Sequence, residues 1–291
     1  MLYNVTTMCT TWHTLATADV SLLCRQMEAV CALPRDFLFL NYLRCHDDIG
    51  WGLDYPWLQQ RFGQGETPHK KYLNDWFTGK WPGSVSRGEL YNDDPRLGDA
   101  RLCGTTASLC GIETAAASGD PDRLNRAVSC NLTLHAWMLS QSGIPVLYSG
   151  DEVGQCNDYG YHDDPDKRED SRYLHRGSFD WERAELRGDA QSWQSRLFHG
   201  LRRLERIRAQ EPCFDTGADV WVEDSGSRHV LALCRRMGER ELVCLYNFSD
   251  RFISAGLQRE GSYTELMYGT HYDRMQDVLL WPNGFAWLLR E

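Results

Sequence analysis

Two apolar runs that end abruptly in polar residues constrain this chain more than anything else in it. The first, Phe37 to Leu43, is apolar apart from Asn41 and leads into Arg44, Cys45, His46, Asp47 and Asp48. The second, Ile144 to Ser149, leads into Gly150, Asp151 and Glu152. Neither run alternates apolar with polar residues, which predicts strands buried on both faces, as in a parallel sheet covered by helices. Polar residues concentrated where such strands end lie at the edge where α/β folds place their chemistry.

Between the two runs the chain must cross back, and it carries a helix for doing so. Asp120-Pro121 is a cap followed by proline at the first helical position. Leu124, Val128, Leu132 and Leu139 then line one face as far as Gly143, a natural stop. Strand, helix, strand is a βαβ crossover, so the two strands are expected to lie parallel. Upstream, Met8, Trp12 and Leu15, then Leu22, Leu23, Met27 and Val30, recur at helical spacing. Asp19 stands between them as a cap and Pro34 follows as a terminator.

The stretch from 50 to 119 is far too long for a strand-to-helix loop and reads as an inserted subdomain. Gly63, Gly65, Gly79, Gly83, Gly88 and Gly98 are scattered through it. Trp51, Tyr55, Trp57, Tyr72, Trp76, Phe77, Trp81 and Tyr91 are interleaved with Arg61, His69, Lys70, Lys71, Arg87 and Arg101. Aromatic faces beside charged hydrogen-bonding groups suit sugar rings, and the plainer expectation for any one of these rings is a place in the insertion's own small core.

A further amphipathic helix, marked by Trp193, Leu197, Leu201, Leu204 and Arg208, closes at Pro212. Beyond it the short runs VWV, HVLALC, ELVCLYNF, YTELMY, DVLLW and FAWLL are separated by turn signals at Asp224 to Ser227, Met237-Gly238 and Asn283-Gly284. These predict a small antiparallel β-sandwich over 211–291. The preceding 1–210 then holds part of a (β/α)8 barrel. A barrel is preferred to a doubly wound sheet because no G-x-G-x-x-G phosphate loop occurs, and barrels tolerate one very long loop. Two strands and about three helices are only a piece of a barrel of about 250 residues.

Composition excludes several functions. A formal charge of -10 and 42% hydrophobic residues describe an acidic globular chain without the basic stripe that nucleic acid or an anionic membrane requires. No apolar run is long enough to span a bilayer, and the first residues lack the pattern of a signal peptide, so a cytoplasmic location is expected. The 11 cysteines include no C-x-x-C pair and read as reduced thiols. Cys45 and His46, as neighbours on an extended strand, should face opposite ways and cannot act as nucleophile and base. No metal, cofactor or glycan is expected. The histidines lack ligand spacing, the aspartates of DDPDKREDSR (163–172) lack the glycine and final glutamate of a calcium loop, and the sequons at Asn4, Asn131 and Asn247 have meaning only in a secreted protein.

Taken together, HDD after the first run, GIPVLYSGDEVG at the second and DDPDKREDSRYLHR beyond it resemble the C-terminal half of an amylosucrase, in the α-amylase superfamily of retaining glucoside enzymes. The resemblance extends from Leu2 to near Glu291. It implies sucrose as glucosyl donor and a glucan or oligosaccharide as acceptor. It implies that Asp47 grips glucosyl hydroxyls and stabilises the transition state, with His46 as a hydrogen-bonding partner. Asp48 and Arg101 would line the adjoining subsite, and Arg172 would close the glucosyl pocket by pairing with an aspartate from an earlier strand. Lys70 and Tyr72 fall where the family has an arginine and a phenylalanine in its acceptor channel. The family's nucleophilic Asp and acid/base Glu follow its fourth and fifth strands, and those segments are not among these 291 residues. The expectation is therefore a fragment, inactive alone, whose partner is the missing N-terminal half of the barrel. Sucrose hydrolysis on the same fold, or a non-catalytic carbohydrate-binding module, are the alternatives.

Overall fold

In the computed structural model, residues 1–94, 96–97 and 99–291 are described; Gly98 of the glycine-rich insertion lies outside them. The chain divides into two compact units, each assembled from separated stretches. Met1–Asn41, Leu132–Val146 and Gly200–Glu291 form the first, and Tyr42–Asn131 with Leu147–His199 the second.

The first unit contains a parallel sheet of three strands in the order Leu2–Tyr3, Phe39–Asn41, Ile144–Pro145. Leu40 pairs with Ile144 and Asn41 with Pro145 in parallel register, as the crossover requires. The outer strand Leu2–Tyr3 was not expected from the sequence, because two residues carry no period to read. Asn41, the polar exception in the apolar run, explains itself: its side chain accepts from Asn4 Nδ2 at 2.8 Å and donates to the Ser142 carbonyl at 2.8 Å, tying the segments around all three strands together. Gly143 sits at φ 114°, and a Cβ there would lie 2.2 Å from the Phe39 carbonyl oxygen, so only glycine lets this strand come alongside its neighbour.

The expectation of burial on both faces is corrected. Phe37 is exposed, as are Ile144 and Val146, and Leu38 to Leu40 are only half-buried. The apolar side chains of these strands are therefore only partly covered by the described residues.

The helices follow their signals. Val5–Thr17 and Ser21–Cys31 are separated by a turn in which Asp19 accepts from the Ser21 amide, and Asp120 accepts from the amides of Asp122 and Arg123 at the start of Pro121–Ser140. Arg208, on the helix Trp193–Gln210, and the fully buried Arg235 donate to carbonyls at residues 139, 140 and 143. Cations are favourably placed there, since the end of a helix carries unpaired carbonyls and partial negative charge.

The rest of the first unit is antiparallel. Six strands lie in the order His271–Tyr272, Tyr263–Glu265, Phe285–Arg290, Arg240–Asn247, Val230–Met237, Asp219–Glu223. Ile253–Ala255 and Val278–Leu280 form a separate two-stranded ribbon. Side chains from both, among them Val230, Val243, Leu245, Ala255, Val278, Leu280 and Leu288, share one buried core. The turns use Gly226, Gly238 and Asn283, all at positive φ.

In the second unit the insertion forms the helices Tyr55–Phe62 and Glu66–Phe77 and the hairpin Glu89–Tyr91 with Arg101–Cys103. Trp51, Leu58, Leu73 and Phe77 are buried, Trp51 stacks on Phe77 at 5.7 Å, and its indole donates to Asn74 Oδ1 at 2.8 Å. Trp51 is thus a core residue, as the plainer expectation had it.

Candidate functional site

Every residue of the candidate site lies in the second unit, built on the segment that follows the first apolar run. Its foundation is Arg44, which the sequence marked only as polar. The Arg44 guanidinium is buried against the Asp151 carboxylate, with Nε at 2.9 Å and Nη2 at 2.8 Å from the same oxygen; Thr106 donates to the other oxygen at 3.0 Å. Tyr148 covers the arginine, whose carbon Cζ lies 4.3 Å from the ring centroid. The polar ends of the two apolar runs therefore meet as a buried, hydrogen-bonded ion pair. Such a pair is tolerated away from water only because its donors and acceptors are satisfied.

After Arg44 the chain bends instead of continuing extended, and the Asp47 amide points to the Cys45 sulfur at 3.4 Å. The assumption that Cys45 and His46 face opposite ways is thereby corrected: Cys45, His46 and Asp47 bring their ligand-type atoms within 4.8 Å of one another. Burial pushes the Cys45 thiol up, so it is not a ready thiolate. As a metal site the trio is poor, since two guanidinium groups already face the Asp47 carboxylate and oppose a cation. They belong to Arg176, at 3.5 Å, and Arg172, at 3.9 Å.

Arg176 and His175 belong to the candidate site through their hydrogen bonds and were not singled out from the sequence, where they end the stretch YLHR. Arg176 Nε donates to the His46 carbonyl at 2.6 Å. His175 is buried; its Nδ1 accepts from the Gly104 amide at 3.1 Å, which leaves Nε2 to donate to the same His46 carbonyl at 3.2 Å. Burial, helped by the neighbouring Arg44 charge, lowers the His175 pKa to about 4, so the ring is neutral in this role. Two donors on one carbonyl hold the peptide next to Asp47 in place. No periodicity marks such residues, because their partners are backbone atoms distant in sequence.

Asp47 itself is 54% exposed and His46 67%; their side chains come within 3.4 Å of each other. Arg172 is held by Asp170 through two hydrogen bonds, at 2.8 and 2.7 Å, and lies over the Tyr91 ring at 4.7 Å. Asp170's hydrogen bonds raise the Arg172 pKa, and that arginine lowers the Asp170 pKa in turn. The arginine that the resemblance pairs with a distant aspartate is here paired within its own loop. Asp48 and Arg101 approach to 3.7 Å because their neighbours Ile49 and Leu102 exchange backbone hydrogen bonds at 2.8 and 2.9 Å. Asp47, His46 and Arg172 thus form one polar group and Asp48 with Arg101 another, and the Asp48 charge acts on Arg172.

Lys70 and Tyr72 are engaged elsewhere. Lys70 pairs with Glu66 at 2.7 Å and Asp99 at 3.3 Å; burial opposes its charge, but these bonds outweigh it and raise its pKa. Tyr72 meets Trp81 edge-on at 4.8 Å, and burial pushes its phenol up to about 12. Glu152 donates nothing to the cluster: its carboxylate accepts from the Gly150 amide at 2.8 Å.

No family model matches the sequence. Many solved structures are similar to it in fold, two of them as follows. Sucrose 6F-phosphate phosphorylase from Thermoanaerobacter thermosaccharolyticum aligns over 94% of this chain and 48% of its own, with 17% identity and a TM-score of 0.61. An AmyP variant in complex with maltotriose aligns over 64% of this chain and 38% of its own, with 17% identity and a TM-score of 0.50. Both are α-amylase-family enzymes. What the chain shares with them is the fold. It spans about half the length of the first and less of the second.

Proposed function

We propose that these 291 residues are the sugar-gripping part of an amylosucrase-type retaining glucoside enzyme, one that moves a glucosyl unit from sucrose to a glucan acceptor. In this reading residues 1–210 are the last strands and helices of a (β/α)8 barrel with the subdomain 50–119 inserted, and 211–291 are its C-terminal sandwich. The observation that carries the proposal is the exposed Asp47 carboxylate, steadied by Arg176 and Arg172 and set next to His46, Asp48 and Arg101. Support comes also from the fold neighbours, one named for a phosphorylated sucrose and one bound to maltotriose.

The chemistry assigns Asp47 a precise load. A carboxylate that accepts hydrogen bonds from sugar hydroxyls holds them more strongly as positive charge develops on the ring, so its effect falls mainly on the transition state. Retention requires, besides Asp47, a pair of carboxyls about 5 to 5.5 Å apart across the scissile bond. Asp47 and Asp48 are adjacent and cannot straddle a bond, and Glu152 is turned to its own backbone. The nucleophile and the acid/base therefore come from barrel strands outside this chain, which join the three-stranded parallel sheet.

In the completed enzyme Asp47→Asn should lower kcat on sucrose by about two orders of magnitude, the usual loss for one preorganised electrostatic group. Turnover within a few-fold of the parent would remove Asp47 from this role. Hydrolysis of sucrose is the second reading, favoured by one observation: Lys70 and Tyr72, the acceptor-channel positions, are already committed to neighbours. Analysis of products, glucan against free glucose, separates the two.

A further inference from the structure

The two-stranded ribbon Ile253–Ala255 and Val278–Leu280 has two unlike faces. Ala255, Val278 and Leu280 point into the core of the first unit. Ser254 and Leu279, paired directly across the ribbon, point away from it, since alternate residues of a strand face opposite ways. One step further along the same register stand Phe252 and Trp281, again on the outward face. Their ring centroids are 4.9 Å apart and their planes inclined at 54°. Phe252 is 55% exposed, Leu279 55% and Trp281 67%. Scattered single apolar residues on a surface need no explanation, but a contiguous group containing two large aromatics does.

The backbone beneath the pair is held rigidly. Asn247 is fully buried, and its side-chain amide donates both to the Arg251 carbonyl, at 2.7 Å, and to the Trp281 carbonyl, at 2.9 Å. Its oxygen accepts from the Ser249 amide at 2.9 Å, and the Ser249 carbonyl in turn accepts from Asn283 at 2.8 Å. The residue before Phe252 and Trp281 itself are thus tied to one buried side chain. Rings fixed in this way lose little freedom when something is laid on them. Beside them Asp250 and Arg251 extend into solvent, 3.8 Å from each other, and offer hydrogen-bonding groups at the rim.

We propose that Phe252 and Trp281 form a second carbohydrate-binding site, away from the Asp47 cluster in sequence and in a different unit, that takes an α-1,4-glucan. An aromatic pair with hydrogen-bonding groups at its edge matches a ligand whose C–H faces stack while its hydroxyls point outward. Successive sugars of an α-1,4 chain are inclined to one another, so a corner of two inclined rings meets two of them; a flat β-1,4 chain meets one. The choice of glucan as ligand rests on the function proposed above, but the site does not depend on the Asp47 chemistry.

The test is electrophoresis of the full 291-residue chain in native gels with and without soluble amylose, using hydroxyethyl cellulose as the flat-chain control. Amylose should retard the chain. Trp281→Ala and Phe252→Ala should each weaken that retardation about tenfold, as truncating an aromatic anchor does, with circular dichroism unchanged. Tyr268→Ala, at an exposed aromatic outside the ribbon, should behave as the parent. No retardation of the parent, retention of binding in both variants, or equal retardation by cellulose would each overturn the proposal. So would a fall in self-association of Trp281→Ala without any glucan effect, which would make the patch a protein contact. Sucrose turnover plays no part in the readout, so failure here leaves the Asp47 reading standing and the converse also holds.

Discussion

His175 stays unprotonated in the folded protein because burial and the Arg44 charge penalise the cation, while its neutral ring is used on both sides, as acceptor from Gly104 and donor to His46. The unfolded chain gains a proton near the ordinary value of 6.5, and the folded one only near about 4. Between those values the unfolded state binds more protons, so stability must fall as pH drops from 6.5 towards 4 and level off below. Urea midpoints measured across that window should fall less in His175→Gln, which offers an acceptor and a donor but no titration. Parallel pH slopes in parent and variant would show that the ring does not carry this linkage. The same residue shows why part of the site was hard to read. His46, Asp47, Asp48 and Arg172 could be picked out from the quoted motifs, whereas His175 and Arg176, though they end one of those motifs, act through a backbone carbonyl 129 and 130 residues away.

Among the elements, the three-stranded parallel sheet and the residues beside it leave large apolar side chains exposed. Leu2 is 63% exposed, Tyr3 66%, Phe37 57% and Ile144 45%. Leu2–Tyr3 and Ile144–Pro145 are the outermost strands of the sheet. Parallel sheets are ordinarily covered, and exposed apolar side chains grouped on one sheet recruit further chain. Phe37→Lys combined with Ile144→Lys should therefore reduce self-association in sedimentation velocity without loss of helical signal. Unchanged self-association would mean that this sheet is not the sticky surface. Strand direction was readable here from the βαβ order. Strand length and burial were not, since apolar runs report what a face prefers and not what covers it.

For the molecule as a whole the proposed function sets a chemical limit. Asp47 and Asp48 are adjacent and Glu152 accepts from its own Gly150 amide, so under that proposal no covalent glucosyl intermediate would form on this chain alone. Purified and incubated with sucrose, it should release no fructose, and release by the 291-residue chain would refute the proposed division of labour. The chain covers 48% of one fold neighbour and 38% of the other.

By itself the sequence determined what depends on local pattern and nearest neighbours. The helix from Pro121, the parallel sense of the two runs it joins, the alternating strands after Pro212 and the turns at Gly226, Gly238 and Asn283 all follow from periodicity, capping and φ preference within a few residues. Tertiary structure alone decided which distant groups meet. Arg44 found Asp151, His175 found Gly104 and His46, and Phe252 found Trp281, each across separations of 29 to 129 residues. Such meetings are set by how strands and loops pack and by the cost of leaving buried polar groups unpaired, and no local spacing encodes either.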